Sequence, residues 1–334
     1  MSIEELHRDA LIIDMTCPLA RDPSYVDWWR EGGAKVIAPT IRGFSAGAKE
    51  GLAEIGAWHR YCRNRDDTII VRSAADIEMA HRDGKLGLVL HSQGTSIIED
   101  RLDLIDGFAA AGLRVVQLCY NAKNLVGDGA GERTDSGLSD FGVKLIARLN
   151  DLSLAVDCAH TGHRTSMDAV AHSSAPVIIS HANARAVHSN LRNVEDELIK
   201  AIAETGGVVG TVGFPAFLNS EGQPSLDKFI DDIAYKADLV GIDHTGLGID
   251  YYLGQWPVED DARAEERYQH MIADGHWRPE QYPPPPYKYP KGIETPRTLH
   301  HLTERLVERG FTQADVKKVL GLNWLRVLGQ IWGG

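Results

Sequence analysis

Eight short runs of aliphatic and β-branched residues recur along this chain, most of them separated by stretches with helical spacing. They read ALIIDMT (10–16), AKVIAPT (34–40), LGLVLHSQ (86–93), LRVVQLCYN (113–121), LSLAVDCAH (152–160), APVIISHA (175–182), GVVGTVGF (207–214) and HTGLGID (244–250). Apolar runs of this length suit strands buried on both faces, and a parallel sheet needs crossover helices between them. Helices are expected at roughly 45–65, 99–111, 138–150, 163–172, 195–204 and 225–239, several opened by a Ser, Thr, Asp or Asn and closed near a Gly. Eight such units predict an α/β fold of the (β/α)8 TIM-barrel type. An open doubly wound sheet fits less well, because no GxGxxG follows the first run.

The 334 residues are expected to form one domain, with the barrel over about 8–250. A Pro- and aromatic-rich excursion with a PPPP tract follows over about 251–297, predicted to lie over the barrel mouth or against a partner subunit. Two or three amphipathic helices close the chain over about 298–332, with TQAD as a helix start and Trp324, Leu325 and Leu328 on one face. Apolar residues make up 43% and charged residues 25%, the balance of a globular protein with a sizeable core. The net charge of −12 argues against nucleic acid, whose binding needs clustered Lys and Arg. No segment reads as a signal peptide or a membrane span, so a cytoplasmic location without membrane partners is expected. Four scattered cysteines without a CxxC pair are expected to be free thiols.

Active sites of such barrels are built at the C-terminal ends of the strands, where this chain places an unusual set of polar residues. They include Asp14, Thr16, His91, Gln93, Tyr120, Asn121, His160, His181 and Asp250. His160 and His181 end adjacent runs, and parallel neighbours lie about 4.8 Å apart, so two imidazoles can converge on one ion there. Strand alternation predicts that His160 and Cys158 share one face and that Asp157 takes the other. Asp250 offers a general base or ligand. Arg192, in HSNLRNVED, offers a fork for a substrate carboxylate. Cys17 and Cys158 are lesser candidates as zinc ligands.

DCAHTG, ISHANAR with the following LRNVEDELIKAIAETGGVVGTVGFPAFL, and VGIDHTGLGID resemble the membrane (renal-type) dipeptidases, peptidase family M19 of the amidohydrolase superfamily. The similarity runs from about residue 8 to 332 and includes YNAKNLVGDG, SGLSDFG and YPPPPYKYPKGIETP, which look like a bacterial branch. The resemblance implies a barrel holding two zinc ions bridged by a glutamate, with one ion completed by a His-x-Asp pair and the other by two histidines. His160 and His181 match the latter pair, Arg192 the arginine that binds the substrate carboxylate, and Asp250 the aspartate that handles the proton of the attacking water. In IDMTCPLA, however, Thr16 and Pro18 stand at the His-x-Asp positions, Gln93 stands for the bridging glutamate, and Tyr120 stands for the histidine that polarises the substrate carbonyl.

The expected function is a dipeptidase-like hydrolase of an amide bond in a small carboxylate-bearing molecule, with one zinc in place of two. His160 and His181 would hold the ion with Gln93 adding an oxygen. Asp250 and Tyr120 would be catalytic, and Arg192 and Asn121 would bind substrate. A metal-free acid–base enzyme in the same pocket, and a non-catalytic binding protein, are the alternatives. The family and the aromatic C-terminal region suggest a homodimer.

Overall fold

The computed structural model describes residues 1–41 and 43–333. The strands are β1 (Ile13–Cys17), β2 (Val36–Ile41), β3 (Thr68–Ile70), β4 (Leu86–Leu88), β5 (Leu90–Ser92), β6 (Leu113–Gln117), β7 (Ala155–Asp157), β8 (Val177–Ile178), β9 (Val209–Thr211) and β10 (Thr245–Leu247). All pair in parallel, in the order β8-β7-β6-β5-β2-β1-β10-β9. Ile179 bridges Val209 and closes β8 on β9, so the sheet is a (β/α)8 barrel. β4 and β5 are two halves of one barrel strand, and β3 is an extra strand beside β4 that the sequence reading did not anticipate. Each of the eight apolar runs contains a barrel strand.

Parallel strands are buried on both faces, which explains why the runs are nearly continuous in hydrophobicity. One apolar cluster, including Ile13, Met15, Ala38, Val89, Val115, Ala155, Ile178 and Val208, fills the barrel. A second, larger cluster lies between strands and helices. The six predicted helices are found, for example at Ala48–Arg63, Asp140–Asp151 and Leu226–Val240. Ser139 and Ser225 cap the last two by accepting from Gly142 N and Lys228 N. Helices Ile3–Asp9, Val26–Glu31, Ala74–Arg82 and Asp261–Ala273 are additional.

The terminal helix Asn323–Trp332 seals the floor of the barrel, at the N-terminal ends of the strands. Trp324 donates to Leu247 O at 3.0 Å, and Asn323 donates to Ile242 O and Thr245 O at 2.7 Å each. Gly246 makes this possible, because a Cβ there would lie 2.5 Å from the Trp324 indole nitrogen. The excursion adds a two-stranded ribbon, β11 (Gln255–Trp256) with β12 (Tyr287–Lys288), and covers the opposite end. No helix among the described residues is long and apolar enough to cross a membrane. Cys17, Cys62, Cys119 and Cys158 are free thiols, as expected.

Candidate active site

The strand ends carry the polar residues to one mouth. Gln93 follows β5, Tyr120 and Asn121 lie beyond β6, His160 beyond β7, His181 beyond β8 and Asp250 beyond β10. A cavity of about 490 Å³ opens there, with Gln93, Tyr120, His160, Asp250, Trp277 and Tyr282 on its wall. Three non-glycine residues at this mouth hold positive φ: Asn121 at 25°, His160 at 60° and Asp250 at 64°. Strain of this kind is costly, and its clustering marks a place where the chain gives up stability for side-chain direction.

Hydrogen bonds set the tautomers of both histidines. Asn121 Nδ2 donates to the His276 carbonyl at 3.0 Å, which turns Oδ1 toward His160. His160 Nδ1 therefore donates to Asn121 Oδ1 at 2.9 Å, leaving a lone pair on Nε2. Ser180 Oγ gives its proton to Asp157 Oδ2 at 2.6 Å and so accepts from His181 Nδ1 at 2.8 Å, with Thr16 Oγ1 at 3.1 Å from the same nitrogen. Both Nε2 atoms are buried without a partner. The rings stand 4.8 Å apart, centre to centre. Burial, reinforced by the charge of Arg192, keeps both imidazoles neutral by lowering their pKa values well below the ordinary range. Tight approach of the backbone supports this placement, since Cβ atoms on Gly210 and Gly248 would lie within 2.0 Å of Ser180 O.

Asp157 and Cys158 take opposite faces as the alternation predicts, but His160 does not share the face of Cys158. Asp157 lies in the barrel interior, bonded to Ser180 and 3.0 Å from His91 Nε2, while Cys158 packs in the outer apolar layer. The reason is that β7 ends at Asp157, and the chain then turns through positive φ at His160, so period-two alternation does not reach the histidine. Burial alone raises the Asp157 pKa, but the hydrogen bonds with His91 and Ser180 bring it below the usual carboxylate value. Cys17 is likewise buried in the outer layer, away from the mouth. Asn121 is not on the cavity wall: its amide is spent on His160, His276 and Tyr282, which makes it a positioning group in this structure.

His181 and Arg192 stand just behind the wall. Arg192 is 2% exposed and has no carboxylate partner among the described residues. Its Nε donates to Tyr282 OH at 3.1 Å, and its guanidinium lies 5.3 Å from the Phe217 ring centre. The Asp250 carboxyl, half-buried on the cavity wall, is pushed up to about 8 by desolvation; Arg192 opposes the rise and Asp14 adds to it. Tyr120 is stacked between Phe44 and His160, with ring centres 4.0 and 4.1 Å away, and accepts from Trp277 Nε1 at 3.0 Å. Sequence reasoning missed Trp277 and Tyr282, which stack on each other at 4.3 Å and roof the mouth from within the excursion. Their aromatic character was visible in the sequence, but their position was not. Ser180 carried no signal beyond its place before His181.

The family model for membrane dipeptidase (peptidase family M19) matches residues 32–277, which is most of the chain. The chain belongs to peptidase family M19. An amidohydrolase from Pseudomonas aeruginosa shares the fold across its full length, with 32% identity, a TM-score of 0.90 and complete coverage of both chains. A metallo peptidase from Rhodobacter sphaeroides, solved with a phosphinate mimic of the dipeptide L-Ala-D-Ala, shares the fold at 21% identity and a TM-score of 0.79, covering 97% of this chain and 99% of its own. An uncharacterized dipeptidase of Schizosaccharomyces pombe is 28% identical over 80% of this chain and 58% of its own length. M19 membership makes the chain a hydrolase, and M19 enzymes are metallopeptidases. Among the described residues, no group of three or more His, Cys, Asp or Glu side chains could hold a metal ion.

Proposed function

We propose that this M19 protein hydrolyses the amide bond of a small dipeptide-like molecule with a free carboxylate, using one zinc ion. The observation that carries the reading is the pair of buried, partnerless Nε2 lone pairs on His160 and His181, fixed in the ligand tautomer by Asn121 and Ser180. Those two donors, with Gln93 on the cavity wall as the source of a third, would hold one ion. They do not fit two, because Thr16 and Pro18 stand where the second set would be needed, and the Thr16 hydroxyl is engaged with His181. When bound, the ion supplies Lewis acidity at the scissile carbonyl and lowers the pKa of water beside it.

The chain's own groups divide the remaining work. Arg192, whose Nη2 also donates to His181 O at 3.5 Å, holds the substrate carboxylate through its remaining guanidinium N–H groups, where a charge-assisted hydrogen bond is strong. Asp250 takes the proton of the attacking water and returns it to the leaving nitrogen. Tyr120 helps to orient the substrate from the opposite wall. Trp277 and Tyr282 exclude water above. A metal-free acid–base reaction in the same cavity is the second reading, favoured by the absence of a third His, Cys, Asp or Glu ligand among the described residues.

Elemental analysis of the purified protein separates these readings. About one zinc per chain is expected, lost in His160→Ala and in His181→Ala, with zinc-dependent turnover on a panel of dipeptides. A protein that takes up no metal after zinc loading and turns over no dipeptide would sink the proposal. We further propose a homodimer in the cytoplasm, on sequence grounds; sedimentation at twice the chain mass is the expected result, and a monomer at micromolar concentration contradicts it.

A further inference from the structure

The Tyr282 hydroxyl is held in an arrangement that the hydrolytic reading leaves unexplained. It accepts from Arg192 Nε at 3.1 Å and from Asn121 Nδ2 at 3.2 Å. A phenol oxygen filled by two donors has no lone pair left for a third. His160 Nδ1 is 3.5 Å away, but its hydrogen is already given to Asn121 Oδ1. No group among the described residues is placed to take the phenol proton, and the Tyr282 side chain forms part of the cavity wall with His160 and Asp250. Tyr282 thus lines the cavity while its hydroxyl proton has no acceptor among the described residues. A cationic donor and an amide donor behind the oxygen draw electron density from it, which strengthens the hydrogen bond that the proton can give.

We propose that Tyr282 is a catalytic hydrogen-bond donor, which stabilises the oxyanion formed when water adds to the scissile amide. The proposal rests on the dipeptidase reading above. Water forms a C–O bond to the carbonyl carbon, its proton passes to Asp250, and the C=O π electrons move onto oxygen, where the Tyr282 O–H donates. The C–N bond then breaks, the carbonyl re-forms, and Asp250 gives the proton to the leaving amine. Tyr282 keeps its own proton throughout. Donors of this kind act because they are oriented before charge develops, and Asn121, Arg192 and the 4.3 Å stack on Trp277 supply that orientation. Arg192 thus has two tasks: its Nε aims Tyr282, and the N–H groups not spent on Tyr282 and His181 O serve the carboxylate.

The test is Tyr282→Phe in the full zinc-loaded chain, on a dipeptide that the unmodified protein hydrolyses. Phenylalanine keeps the stack on Trp277 and removes only the hydroxyl. A fall in kcat of about 10²–10³-fold is expected, with KM changed little and zinc content unchanged. Affinity for a phosphinate dipeptide mimic, whose tetrahedral anion resembles the oxyanion, is expected to weaken in step with kcat/KM. A purely structural or carboxylate-binding role would raise KM and weaken substrate and mimic alike. An unchanged kcat in the variant, or a loss confined to KM, overturns the proposal while the dipeptidase reading stands. Absence of turnover in the unmodified protein brings down that reading and this inference with it.

Discussion

Asp250→Asn is expected to lose about 10³-fold in turnover while the metal-free protein becomes more heat-stable at neutral pH. The first effect follows from position. The carboxylate faces the cavity, and no neighbour among the described residues donates a hydrogen bond to it. The second follows from desolvation. A carboxyl that ordinarily titrates near 3.8 is raised to about 8 in the folded chain, chiefly by burial. Between those values the folded state keeps a proton that the unfolded state releases, so stability falls as pH rises from about 4 and levels off above about 8. By pH 7 the accumulated cost is on the order of 4 kcal/mol at about 1.4 kcal/mol per pH unit. Asparagine removes it, which corresponds to a rise in Tm of roughly 5 °C for a chain of this size. Melting curves of metal-free wild type and variant from pH 4 to pH 9 should diverge as pH increases. Superimposable curves at pH 7, or retained turnover, would refute the assignment.

Arg192→Ala is expected to cost about 10²–10³-fold in kcat/KM on dipeptides with a free C-terminus. A guanidinium that is 2% exposed and lacks a carboxylate partner among the described residues is an incomplete ion pair, and its burial is hard to justify unless an anion enters beside it. The same substitution also frees the Tyr282 hydroxyl from one of its two donors, so kcat falls together with affinity. Arg192→Lys keeps the charge but loses the planar fork and the Nε donor, and only part of the activity should return. The decisive comparison is a dipeptide against its C-terminal amide. Wild type should prefer the free acid strongly, and Arg192→Ala should lose that preference. A preference that survives the substitution places the carboxylate elsewhere.

The fold was legible because each barrel strand falls within a mostly apolar run, and burial on both faces leaves such runs little to alternate with. What escaped was short or irregular. β3 is only Thr68–Ile70 at the edge of β4, and Val26–Glu31 is a six-residue helix without a side-chain cap. His160, His181 and Asp250 were found because polar residues end apolar runs there. The expectation that His160 shares the face of Cys158 fails because it carries a two-residue period past the end of the strand. Asn121 was read as a substrate contact, whereas the fold commits every polar atom of its amide to neighbours. Tyr282 could not be found at all, since it reaches Arg192 across 90 residues of chain from a segment with no periodicity.

Both ends of the barrel are finished by the last quarter of the sequence: Tyr282 and Trp277 close the mouth, and Trp324 closes the floor. During translation all eight strands therefore leave the ribosome before either closure exists. The nascent barrel must wait with its apolar interior open at the bottom until residue 324 has emerged, a period in which a chaperone has something to bind. Biosynthetic order thus makes the final helix a checkpoint: a chain interrupted after β10 has every strand and most of the polar residues of the mouth, yet cannot complete its core.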